Sequence, residues 1–160
     1  MAQSSTPGRT RALRYAGLVA SVLVVSDLAS LRRDIRLMIE GPDLTVEEAA
    51  SGREVLARVG EGGVDLVVTD FQVGAMGGMA ICLDLRHEES YGALEPVPVL
   101  MLLDRRPDVF LARRSGAEGF LVKPLDPLRT RAAVRALLAG EDYEDESLRP
   151  ITVRAGVGTR

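Results

Sequence analysis

Val64-Asp65-Leu66-Val67-Val68-Thr69-Asp70 is a short apolar run that ends on a carboxylate. Leu66, Val67 and Val68 follow one another without a polar residue, so the in-out alternation of a half-exposed strand is missing. A strand apolar on both sides is buried on both faces, as parallel strands between two layers of helices are. Gly60, Gly62 and Gly63 break the chain before this run, and a glycine-rich loop reaching Gly78 follows it.

The same texture recurs on either side. Ser21-Val22-Leu23-Val24-Val25 reads as a buried strand. Leu28, Leu31, Ile35, Met38 and Ile39 then recur at helical spacing with arginines between them, until Gly41-Pro42 stops the helix. A second strand is expected over 44–48, with Ser51 as the N-cap of a helix reaching Val59. Beyond the glycine-rich loop, a helix carries Met79, Ile81, Cys82 and Leu85, and Pro98 opens a strand over 99–103. A shorter helix over 108–115 and a fifth strand over 118–122 follow, and Asp126-Pro127 starts a last helix that runs to about residue 139. Five strand-helix units in succession predict an α/β fold, a doubly wound five-stranded parallel sheet with helices on both faces. Residues 1–20 form a basic extension, 21–140 the domain, and 141–160 an acidic, flexible tail whose 141–146 stretch reads as disordered or as a solvated charge run and whose Ile151-Thr152-Val153 reads as part of the flexible end, with an edge strand or a partner-docking segment as the alternative.

Composition narrows the function classes. With 46% hydrophobic and only 4% aromatic residues and no Trp, the core must be built of Val, Leu, Ala and Ile. The net charge of −3 is unevenly distributed, with three arginines and no acids in residues 1–20 and five acids in 141–146, and the acidic balance of the part between contains no basic stripe, which argues against a direct nucleic-acid partner. A single cysteine, Cys82, excludes a disulfide framework and points to a reducing, cytoplasmic setting. The single histidine, His87, has no companion ligands and reads as a surface residue. Arg9, Arg11 and Arg14 before the apolar run 16–25 imitate a secretory signal, but that run passes straight into Ser26-Asp27 and an amphipathic helix. Cleavage there would remove the first core strand, and the run is too short to span a bilayer, so no membrane partner is expected.

In a sheet of this kind ligands bind outside the carboxyl ends of the strands. The polar residues at the ends of the first, third and fifth strands are Asp27, Asp70 and Lys123, distant in sequence but convergent in such a fold. Two neighbouring carboxylates favour a hard divalent cation such as Mg²⁺. Lys123 is the only lysine among 20 basic residues, a compact point charge where arginine serves elsewhere, and it can pair with Asp70 and later with a phosphoryl oxygen.

Several segments, in order, closely resemble the receiver domains of two-component response regulators, the CheY-like family. They are Val22-Leu23-Val24-Val25-Ser26-Asp27, Asp65-Leu66-Val67-Val68-Thr69-Asp70, the Gly77-Gly78 turn, Pro98-Val99-Leu100-Met101, Gly116-Ala117 and Lys123-Pro124. The resemblance covers about residues 21–139 and implies the flavodoxin-like strand order 2-1-3-4-5. It implies that Asp70 is the phosphoacceptor, supplied by a histidine kinase or a histidine phosphotransfer protein. It further implies that Asp27, Asp70 and the backbone carbonyl of Gln72 hold Mg²⁺, that Lys123 completes an electrostatic clamp, and that the Lys123-Pro124 peptide is cis.

Four features depart from the family pattern. Ser26 stands where a second acidic residue usually helps to bind the metal, which lowers the expected Mg²⁺ affinity. Leu103 stands where a Thr or Ser hydroxyl usually meets the phosphoryl group, and leucine has no donor. Asp104 replaces a small residue and either repels an incoming phosphoryl group, contributes to cation binding, or is merely solvated near the next helix. Val73-Gly74 replaces the usual Met-Pro, which loosens the loop. Phe120 occupies the aromatic switch position without a hydroxyl, as a switch or as plain core.

Two functions follow. The first is a phosphoaccepting receiver whose fourth helix, fifth strand and fifth helix present a face to a downstream effector. The second is a degenerate receiver that keeps the fold as a phosphorylation-independent interaction module. An enzyme on the same fold lacks support, because no glycine-rich phosphate loop follows the first strand. A homodimer through Arg129, Arg131 and Arg135 of the last helix is left open.

Overall fold

The computed structural model of the protein describes residues 18–148. Five βα units appear in the expected order: β1 (Ala20–Val25), α1 (Ala29–Ile39), β2 (Leu44–Ala49), α2 (Gly52–Glu61), β3 (Leu66–Asp70), α3 (Gly78–Ser90), β4 (Val99–Leu103), α4 (Val109–Arg114), β5 (Gly119–Val122) and α5 (Pro127–Leu138). All neighbouring strands pair in parallel, in the order β2-β1-β3-β4-β5, and a sixth strand, β6 (Tyr143–Glu144), is added beside β5.

The unbroken apolar runs are explained by two cores, one on each side of the sheet. Within β1, Val22 and Val24 face a core completed by Ile35 and Ile39 of α1 and Val134 and Leu137 of α5. Leu23 and Val25 face the opposite core, with Val55 of α2, Ile81, Cys82 and Leu85 of α3, and Val109 and Ala112 of α4. Alternate side chains therefore meet different helices, and none meets water. Each fully buried Val or Leu contributes about 1.5–3 kcal/mol relative to exposure, so the central strands β1, β3 and β4 carry much of the fold's stability.

Helix boundaries follow local chemistry. Asp126 caps α5, its carboxylate accepting the backbone N–H groups of Leu128 and Arg129 at 3.0 Å each. Ser51 holds the N-cap position of α2, but its hydroxyl donates to Glu54 at 2.9 Å rather than accepting from the backbone. The short helix α4 begins one residue later than its sequence pattern suggests, because Arg106–Asp108 forms a 3-10 turn ahead of it.

The acidic stretch 141–146 corrects the sequence reading. Glu141, Asp142, Glu144 and Glu146 are exposed, as a solvated run would be, but the stretch is held to the sheet: Tyr143 N–H donates to Glu118 O and Asp145 N–H to Phe120 O, both at 3.0 Å, which lays β6 along β5. Asp145 is buried, and its carboxylate accepts Val122 N–H at 3.1 Å, Ser147 N–H at 2.9 Å and the Arg129 guanidinium at 2.5 Å. The charge density concealed a single acid with a full set of donors inside the fold. Most of the basic extension and Ile151-Thr152-Val153 lie outside the described residues.

Candidate functional site

The carboxyl edge of the sheet gathers the polar residues that the sequence placed at the strand ends. Asp70 closes β3 in a fully buried strand, at 2% exposure, so its carboxylate is desolvated except toward the edge. Lys123, immediately after β5, reaches across β4 and donates from Nζ to Asp70 Oδ1 at 2.7 Å. The peptide between Lys123 and Pro124 is cis. Ser26 is buried at the end of β1; its hydroxyl contacts Asp70 Oδ2 at a long 3.4 Å and accepts Leu28 N–H at 3.1 Å. A neutral hydroxyl therefore sits where a further carboxylate would have repelled Asp70.

Asp27 is exposed, and its Oδ2 accepts the N–H of Gly74 at 3.3 Å. Gly74 has φ of +44°, a left-handed conformation that side-chain-bearing residues rarely adopt. This glycine does more than loosen the loop, since its backbone turns an N–H toward the carboxylate. Gly78 is equally constrained: a Cβ there would lie 2.3 Å from the Asp70 carbonyl oxygen. That absence of a side chain lets α3 start directly against the backbone of Asp70. Gln72 is exposed in the intervening loop.

Asp104 belongs to the site. Its Oδ1 accepts from Lys123 Nζ at 3.0 Å, so one ammonium is shared between two carboxylates. Burial alone would push the lysine's pKa down, but the bonds to Asp70 and Asp104 outweigh it and hold it above the ordinary lysine range. The contact follows from the strand register. The register pairs Leu103 with Val122, which sets the next two residues, Asp104 and Lys123, side by side at the ends of adjacent parallel strands.

Leu103 and Phe120 are buried in the same core as Val109 and Ala112. Both act as packing residues in this conformation, and Leu103 touches the site through its backbone, whose carbonyl accepts Lys123 N–H at 2.9 Å.

The oxygen donors at this edge suit a hard cation. Mg²⁺ is commonly held through one or two carboxylates and several waters, and Asp70 and Asp27 supply two carboxylates beside a serine hydroxyl. Among the described residues no group of three His, Cys, Asp or Glu side chains converges on a metal position, so a cation here would depend on backbone and water oxygens as well. No helix among the described residues is long and apolar enough to cross a membrane.

Residues 22–135 match the response regulator receiver domain. The chain is 34% identical over 123 residues to an uncharacterized response regulatory protein of Mycobacterium tuberculosis, covering 73% of this chain and 90% of that one. It is 33% identical over 125 residues to the DNA-binding response regulator MtrA of the same organism, covering 77% of this chain but 52% of MtrA, about half its length. Among solved structures, the chemotaxis response regulator CheY4 of Vibrio cholerae aligns with a TM-score of 0.64 at 29% identity, covering 75% of this chain and 98% of that one. These relatives support the phosphorelay role and do not favour the purely interaction-module alternative. On sequence, sheet order and relatives alike, the chain belongs to the receiver domains of two-component response regulators and serves as a receiver in phosphorelay signalling.

Proposed function

We propose that Asp70 is the phosphoacceptor of this receiver, taking its phosphoryl group from a phosphohistidine on a cytoplasmic histidine kinase or phosphotransfer protein. The observation that carries this reading is the 2.7 Å contact of Lys123 with a nearly buried Asp70 at the carboxyl edge of the sheet. A carboxylate oxygen of Asp70 attacks phosphorus, a P–O bond forms, the donor's P–N bond breaks, and its electron pair returns to the imidazole nitrogen. Lys123 keeps the carboxylate oriented and then pairs with a phosphoryl oxygen through a charge-assisted hydrogen bond.

Receiver domains generally bind Mg²⁺ at the phosphorylation site. In this chain Asp27, Asp70 and the backbone carbonyl of Gln72 would hold it. When bound, the cation neutralises charge on the transferring phosphoryl oxygens. With Ser26 in place of a further acid, its affinity is lower than a three-carboxylate site would give. Output passes to a downstream effector through the face of α4, β5 and α5, on which β6 already covers the edge of β5.

The experiment is incubation of the full chain with Mg²⁺ and acetyl phosphate, followed by intact-mass measurement. One added phosphoryl group, absent in Asp70→Asn, is expected. An unmodified wild-type mass, together with no Mg²⁺-dependent NMR shifts near Asp27 and Asp70, would sink the reading.

A further inference from the structure

Lys123 serves two acids that differ in their access to water. The Asp70 side chain is 3% exposed and the Asp104 side chain 39%. In the unmodified protein the three groups carry two negative charges and one positive. A phosphoryl group on Asp70 replaces one negative charge by about 1.5 to 2 and brings three strong acceptor oxygens. The ammonium then faces a stronger acceptor, and Asp104 faces a surplus of like charge. Asp70 is fixed in a buried strand, whereas Asp104 can exchange its bond to Lys123 for water at little cost. Asp104 is the partner that gives way.

Leu103 has no hydroxyl and is fully packed in the core, so it cannot follow the phosphoryl group by hydrogen bonding. Asp104, one residue later, is already tied to the reacting site. It is followed by Arg105, which pairs with the largely buried Asp108 at 2.9 Å, and by the 3-10 turn Arg106–Asp108 that leads into α4. On α4 the apolar side chains of Phe110 and Leu111 are exposed.

We propose that Asp104 is a positioning residue and the transmitter of the switch: it shares Lys123 with Asp70 before phosphorylation, surrenders it to the phosphoryl group afterwards, and so moves the β4–α4 connection. This rests on the phosphoacceptor reading of Asp70. The transfer breaks no covalent bond and needs no further reactant.

The test is NMR on the full chain, with backbone ¹⁵N labelling and a lysine-selective side-chain ¹⁵N label, before and after Mg²⁺ and acetyl phosphate, with intact mass on the same samples. The wild type is expected to gain the adduct, to shift the Lys123 ammonium signal, and to shift the amides of residues 104–110. Asp104→Asn is expected to gain the adduct while those loop shifts fall to less than about a third of the wild-type size, and Asp104→Glu to restore them. An adduct on Asp104→Asn with loop shifts of wild-type size overturns the transmitter role alone. So does failure of Asp104→Asn to accept the group when the wild type does. No adduct on the wild type overturns the reading of Asp70 and the transmitter role with it.

Discussion

Lys123 is the only lysine in the chain, so its ammonium gives one side-chain signal when lysine alone is labelled. Its folded pKa is raised; burial opposes this, but the Asp70 and Asp104 carboxylates prevail. For a raised cation the stabilising contribution is complete below the unfolded value of about 10.4 and is lost as pH rises through the folded one. Titration of that single signal should therefore give a midpoint above the free-lysine value, lowered in Asp104→Asn and lowered further in Asp70→Asn. A wild-type midpoint at or below the free value would contradict the shared clamp. The placement of Asp27, Asp70 and Lys123 at strand ends was legible in the sequence because such positions follow from apolar runs, and the runs are long enough to fix where each strand stops. The role of Asp104 was less legible, since it depends on the register between β4 and β5, which only the paired strands make explicit. The hydrogen bond from Gly74 to Asp27 was hidden for another reason: it is made by a backbone N–H, whose direction depends on a positive φ.

At the scale of elements, α3 and β6 carry the two sharpest expectations. A Cβ on Gly78 would clash with the backbone of Asp70 and Phe71, neither of which can swing aside as a side-chain tip would. Gly78→Ala should cost about 1–3 kcal/mol in chemical denaturation and also disturb Asp70, because the start of α3 must shift away. Asp145 ties β6 to β5 and α5. Burial pushes its pKa up, but the backbone N–H groups of Ser147 and Val122 and the Arg129 guanidinium overcome this and hold it below the usual carboxylate range. A depressed acid contributes stability above its unfolded value of about 3.9, and that contribution is lost as pH falls through the folded value. Asp145→Asn should therefore lose about 2 kcal/mol at neutral pH and flatten the acid limb of the stability curve, as urea titrations at stepped pH would show. Equal losses at pH 7 and below pH 3 would contradict this assignment. The strand itself escaped the sequence because two residues give no periodicity, and because five acids in six positions read as solvated. What decides the outcome is tertiary: Tyr143 and Asp145 meet the free N–H and C=O groups of β5 once α5 has carried the chain back to the sheet.

Over the whole molecule, arginine-centred networks brace both faces of the sheet, with Arg32 and Arg36 on Glu48 and Arg129 on Asp145 on the α1 and α5 side. On the α3 side, Arg86 donates to both carboxylate oxygens of Glu118 at 2.7 Å, to Glu89 at 2.7 and 2.8 Å, and to the carbonyls of Val97 and Gly116 at 3.0 Å each. These bonds join α3, β4 and β5 at the end of the sheet opposite Asp70, so they set the platform rather than the chemistry. Cys82 lies one turn before Arg86 on the same helix, buried, with burial pushing its thiol pKa up. Its reaction with a disulfide reagent should be at least about 10³-fold slower in the native protein than in the denatured one, and so report global opening. The fold was the most legible level, because alternation of apolar strands and amphipathic helices leaves few topologies once both faces of each strand must be covered. Fold alone does not decide function, however, and the central claim concerns one oxygen-bearing side chain among several acids at the same edge. The most direct measurement is borohydride reduction of the acetyl phosphate-treated protein, followed by peptide mass mapping. An acyl phosphate on Asp70 should be reduced to homoserine at position 70 and nowhere else; unreduced aspartate at that position, or homoserine at position 27 or 104 instead, would contradict the account.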